Sequence, residues 1–158
     1  MSRTYAEGKT FKDENYAEKG LPAGEYENCR FTGCNFSNAD LSQCRFLECV
    51  FSDCDFSMTI LKDTSLQEVK FKNCKLLGLH FEDCNPFLLS FEFQGCQLNF
   101  SSFFRLKIKN TRFETCKLEE AEFVETDLSG AVFKDCDLRG TVFDGAILEQ
   151  ADFRTAFH

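Results

Sequence analysis

Ten cysteines and two histidines are the side chains of this 158-residue sequence best suited to metal or redox chemistry, and their placement argues against both. Cys29, Cys34, Cys44, Cys49, Cys54, Cys74, Cys84, Cys96, Cys116 and Cys136 form one periodic series, mostly at multiples of five, rather than two tight pairs separated by a loop as a zinc site requires. The expectation is free thiols acting as small apolar side chains. Stacked neighbours would bring their Cα atoms near disulfide range, but with parallel Cβ vectors that bridge poorly. Gly8-Lys9-Thr10 imitates the end of a phosphate-binding loop, yet the earlier glycine that loop needs would fall at Arg3. His80 precedes an apolar Phe81 and should point outward, and His158 is the last residue. No Ser/His/Asp set or carboxylate pair stands out among 26 acids, so the sequence predicts no enzyme, no metal and no cofactor.

The elements that carry these residues follow from a repeat. Stepping by five from Phe11 to Phe81 meets Phe, Tyr or Leu at fifteen successive positions. The register slips by two residues between Asp83 and Phe93, then holds for thirteen positions to Phe153. A period of five fits neither a helix nor a strand, so each unit must turn a corner before repeating, as in a solenoid. Two residues before most centres sits a small residue, and all ten cysteines occupy that place. The remaining positions are mostly polar, as a surface should be.

Units such as Ala39-Asp-Leu-Ser-Gln43, Thr126-Asp-Leu-Ser-Gly130, Cys136-Asp-Leu-Arg-Gly140 and Ala151-Asp-Phe-Arg-Thr155 resemble the pentapeptide repeat family over residues 11 to 156. The resemblance implies an all-β fold, a right-handed quadrilateral parallel β-helix with four pentapeptides to a coil. The sequence supports four units per coil: Cys34, Cys54 and Cys74 are twenty apart, as are Cys96, Cys116 and Cys136, and the slip turns the step from Cys74 to Cys96 into one more coil. About seven coils at the ~4.8 Å interstrand spacing give a rod of about 35 Å.

Assigning units to faces gives the net charge of −8 a geography. The face of Leu41, Leu61, Phe81, Phe103, Phe123 and Phe143 carries Asp40, Asp63, Glu82, Asp83, Glu122, Glu125 and Asp144. The next face, that of Tyr26 and Phe46, adds Glu48 and Glu68, whereas the Phe31 face holds Arg30, Lys70, Lys72 and Arg112. Excess acid argues against direct nucleic-acid binding, and no apolar run approaches the ~18 residues of a membrane span. The expectation is a non-catalytic interaction protein. The alternative comes from the resemblance, since members of the family linked to quinolone resistance and gyrase inhibition imitate duplex DNA and bind type II topoisomerases.

Further expectations concern the ends and the slip. Lys9, Glu14 and Lys19 stand where small residues belong, which predicts an irregular N-terminal cap over 1–20, a β-helix over 21–156 and a regular core from about Tyr26. Pro86 predicts a bulge near 85–93. Phe87, Phe100 and Phe104 are candidate exposed apolar contacts. The N-terminus has no secretory-type apolar stretch, which predicts a cytoplasmic protein. Phe157 is the candidate contact for a homodimer joined through the C-terminal coil, because solenoid ends leave strand edges unpaired.

Overall fold

The computed structural model describes residues 3–158. Its unit is a short extended segment followed by a corner, and the corner explains the period. A residue in the left-handed region recurs about every fifth position, as at Asn28, Asn38, Gln43, Glu48 and Asp53. Asn, Asp and Gly tolerate that region best, which is why polar and glycine residues collect there.

Among the described residues eleven strands result: β1 Thr4–Glu7, β2 Thr10–Lys12, β3 Gly24–Glu27, β4 Arg30–Thr32, β5 Arg45–Leu47, β6 Val50–Ser52, β7 Ser65–Gln67, β8 Val69–Lys72, β9 Phe91–Gln94, β10 Arg112–Glu114 and β11 Val132–Lys134. They pair in parallel, as β1-β3-β5-β7 on the Tyr26 face and β2-β4-β6-β8-β9-β10-β11 on the Phe31 face. Phe31 pairs with Phe51, twenty residues on, whereas Phe71 pairs with Phe93 across the slip. The other two faces are held by single bridges, such as Asp55↔Lys75 on the Phe36 face and Ser102↔Glu122 on the Leu41 face. The chain is thus a four-sided parallel β-solenoid of about seven turns.

The centre residues fill the square interior. On the Phe31 face the rings stack coil upon coil, with Phe31 and Phe51 centroids 4.8 Å apart and nearly parallel at 14°. Rings on adjoining faces meet edge to face, as Phe123 meets Phe133 at 86°, an arrangement that suits the ring quadrupole. All ten cysteines are free and buried. Their position has a second role besides packing. Cys54 Sγ donates to Phe31 O (3.3 Å), Thr64 Oγ1 to Leu41 O (2.8 Å) and Ser101 Oγ to Leu76 O (2.7 Å), each to a carbonyl of the preceding coil.

The irregular N-terminal cap expected over 1–20 is corrected in part. β1 and β2 lie in register with β3 and β4, and Ala6 is already buried, so the regular coil begins well before Tyr26. The charges that argued otherwise escape burial: Lys9 is exposed at the rod's end, and Lys19 leaves the interior to pair with Glu14. Within the first coil, among the described residues, only the short helix Tyr16–Lys19 departs from the corner rhythm, while residues 1 and 2 lie outside the described residues. Gly24 is required where this first coil passes the second, because a Cβ there would stand 2.0 Å from Thr4 O.

The expected bulge forms on the Tyr26 face. Asn85 N–H bonds Thr64 O (2.9 Å) and Ser90 N–H bonds Leu66 O (2.9 Å), and the segment between them swings outward. Phe91 takes the small-residue place and is buried against Phe81 and Phe93. Pairing on this face stops at β7 and resumes at Lys107↔Asp127.

Candidate interaction faces

Corners and outward rows position the charged side chains. Asp40, Glu82, Glu122 and Asp144 stand in the outward rows of the Leu41 face, while Asp63, Asp83 and Glu125 follow the corner towards the Tyr26 face. Asp40 accepts from Ser42 N–H (2.9 Å), and its hydrogen bonds with Ser42 hold its carboxyl below the usual range. Glu125 accepts from Arg105 Nε (3.2 Å). Glu82 Oε2 accepts from Ser102 Oγ (3.0 Å) and lies 3.4 Å from His80 Nδ1, whereas its Oε1 is buried without a partner.

Glu48 and Glu68 do not join this group. They occupy the corner between the Tyr26 and Phe31 faces, stacked so that a hydrogen bond with Glu68 and the Glu68 charge raise the Glu48 pKa. Beside them runs an open groove of about 530 Å³, lined also by Lys70, Glu92 and Arg112, in which Lys70 pairs with Glu92 at 3.4 Å. The candidate acidic residues therefore form two bands.

The Phe31 face has the opposite sign. Its outward rows hold seven cations, Lys12, Arg30, Lys70, Lys72, Arg112, Lys134 and Arg154, against three acids, Glu92, Glu114 and Asp152. All three acids are paired in place, to Lys70, Lys134 and Arg154. Arg154 holds the Asp152 carboxyl down at about 2. The surplus positive charge is therefore carried by Lys12, Arg30, Lys72 and Arg112.

The apolar candidates separate too. Phe87 is 67% exposed on the bulge, on the Tyr26 face. Phe100, 57% exposed, sits in the corner between the Phe36 and Leu41 faces, and Phe104 lies on the Leu41 face beneath the Arg105 guanidinium at 4.8 Å. The sequence reading missed Met58 (59% exposed) and Ile60 in the same region. The available signal was an apolar residue at two consecutive outward sites of an otherwise polar surface. Phe157 is exposed, but it follows the outward row of the Phe36 face, pairing with Asp137, whereas Phe143, Leu148 and Phe153 line the end of the rod.

Among the described residues no group of three or more His, Cys, Asp or Glu side chains could hold a metal. Burial pushes the Cys49 thiol up to about 12 and raises that of Cys84, the reverse of an activated nucleophile. No helix is long and apolar enough to cross a membrane.

No curated protein matches the chain. Among solved structures, full-length QnrB1, a plasmid-mediated fluoroquinolone resistance protein, is 20% identical, with 94% of this chain and 92% of that chain covered and a TM-score of 0.48. HetL, a protein involved in heterocyst differentiation regulation from the cyanobacterium Nostoc, is 14% identical, covering 98% and 90% with a TM-score of 0.34. The family model described as a pentapeptide repeat region matches residues 25–104, and that described as pentapeptide repeats matches 121–157. With its corners, columns and coil register, this chain belongs to the pentapeptide repeat family.

Proposed function

We propose that this chain is a non-catalytic interaction rod of the cytoplasm whose acidic Leu41 and Tyr26 faces engage a cationic surface of a protein partner. The observation that carries the reading is the segregation of charge by face, with surplus cations on the Phe31 face and surplus acids on the Leu41 face opposite and the Tyr26 face beside it. At physiological salt the Debye length is about 8 Å, shorter than a rod's width, so a partner senses the face it meets rather than the net charge. Such complementarity governs orientation and encounter rate. Titration of a fluorescent oligolysine peptide tests it: binding that weakens as salt rises is expected, and no binding at low salt contradicts the reading.

A second reading, a DNA mimic that binds a type II topoisomerase, draws on the acids Asp63, Asp83 and Glu125 along one corner, a column in which Arg105 stands between Asp83 and Glu125 and pairs with the latter. Its test is a gyrase supercoiling assay with and without a fluoroquinolone. Inhibition or protection at micromolar protein supports mimicry, and neither effect removes it. Self-association through the final coil, where Leu148 is 38% exposed, is the homodimer this reading carries.

A further inference from the structure

The corner between the Phe36 and Leu41 faces differs from the others in chemistry. Met58, Gly78 and Phe100 follow one another along it, each in the left-handed region at φ 59°, 67° and 63°. Their amides donate to equivalent carbonyls one coil on, Leu77, Asn99 and Glu119, which shows that they form one column. Left-handed backbone, which the corners of this rod use throughout, is costly for bulky side chains. Here a methionine and a phenylalanine accept that cost and stay largely exposed. Gly78 makes room for Met58, whose sulfur lies over it, 2.8 Å from where a Cβ would stand, so the methionine and Phe100 form a continuous apolar strip. Ile60, exposed on the adjoining Leu41 face, widens the apolar surface.

A second observation meets the first. Among the described residues three buried side-chain oxygens lack a hydrogen-bond partner, Ser57 Oγ, Asn99 Oδ1 and Glu82 Oε1. Ser57 and Asn99 immediately precede Met58 and Phe100, and Glu82 stands in the outward rows of the adjoining Leu41 face. Buried polar groups are nearly always satisfied, so Ser57 and Asn99 beside the apolar corner, with Glu82 across the adjoining face, call for donors from outside. The surroundings fix the sign of those donors. Glu120 is next in the column after Phe100, and Glu122 follows on the Leu41 face. Arg105 already shows the matching chemistry within the chain, its guanidinium over the Phe104 ring while its Nε donates to Glu125.

We propose that the corner from Met58 to Glu120 is a docking site for a protein segment that presents an apolar side chain flanked by arginine or lysine. The apolar group packs across the exposed Met58 and Phe100 side chains, where Met58 covers Gly78. The cations meet Glu120, Glu122 and Glu82, and small side-chain rotations turn the orphan oxygens towards the segment's donors. A central apolar anchor ringed by charge is the usual anatomy of a binding hot spot. The proposal rests on the acidic-face reading above and adds to it the place and the apolar half of the recognition.

The test uses a fluorescein-labelled peptide of alternating leucine and arginine, with glycine–arginine and leucine–glutamate peptides as controls. The leucine–arginine peptide should bind more tightly than either control, and the Met58→Ser/Phe100→Ser double variant should weaken it at least ~10-fold. Phe87→Ser, on another face, should leave binding unchanged, with unaltered melting showing that each variant is folded. Equal binding by the double variant, or by the glycine–arginine peptide, overturns the site while leaving the acidic-face reading intact. Failure of oligolysine and of both arginine peptides removes both. Sedimentation of the unliganded protein supplies the last outcome: a dimer that dissociates only in the double variant would replace the partner segment with a second copy.

Discussion

Before the slip, the aromatic column of the Phe31 face is flanked by aromatic columns on both neighbouring faces, Tyr16–Phe36–Phe56 and Tyr26–Phe46. After it those faces carry Leu98, Leu118 and Leu128, and the second column moves across the rod to Phe81–Phe103–Phe123–Phe143 on the Leu41 face. The halves differ in how many aromatic columns they bury, three before the slip and two after it, and in which faces carry them. The square interior needs aromatic columns meeting edge to face, and the slip, with Phe91 filling the changeover coil, is where one arrangement hands over to the other. The Cys34 to Cys136 column crosses the slip unchanged, because its side chains bond carbonyls of the coil before and not the rings.

The largest effect is expected from removing a ring. Phe123 is fully buried between Phe103 and Phe143, so Phe123→Ala should cost about 3–5 kcal/mol in urea unfolding. Phe36→Ala should cost a similar amount in the first half, whereas Phe153→Ala, half-buried at the end, should cost clearly less. A first-half value far below the second would show that the two arrangements are not equivalent.

The small-residue column should respond alike on both sides of the slip. Overpacking by Cys54→Phe or Cys116→Phe should cost about 1–3 kcal/mol, with Cys54→Ala milder. Cys54→Ser should be better tolerated than Cys54→Val, because only the hydroxyl keeps a donor for Phe31 O. Denatured, unreduced protein should titrate ten thiols, and native protein should react slowly.

A smaller effect comes from pH. The folded Cys49 thiol is raised from 9.0 to about 12 by burial, so the unfolded chain loses its proton first. The stability this contributes is complete below pH 9 and is lost as pH climbs towards 12. Melting temperature should therefore fall over that window, and a flat profile would mean that the thiols are hydrated.

Smallest in stability, though visible in assembly, is Leu148→Asp at the end of the rod. It should leave the melting temperature nearly unchanged and, if the final coil joins two copies, convert dimer to monomer in light scattering. Phe157→Asp should do less, since Phe157 lies along the Phe36 face.

The fold was legible because every coil repeats the same class of residue at its centre, so twenty-eight aligned positions outvote any local irregularity. The regular first coil was not, because Lys9 and Glu14 look unburiable until the rod's end gives them water. Nor was the donor role of Cys54, Thr64 and Ser101, since the accepting carbonyl lies a full coil away. The acids of the Leu41 face could be placed from register alone. Met58 could not, because its meaning depends on Gly78 and Phe100 lying above one another, twenty and forty-two residues on.

The central claim, that the sign of a face and not the net charge directs binding, is tested by two triple variants that change net charge equally. One neutralises the Leu41 face with Asp63→Asn, Glu122→Gln and Asp144→Asn, the other the Phe31 face with Glu92→Gln, Glu114→Gln and Asp152→Asn. Oligolysine affinity measured for both at one salt concentration should fall at least ~10-fold in the first and stay near the parent value in the second. An equal fall in the two would contradict the account.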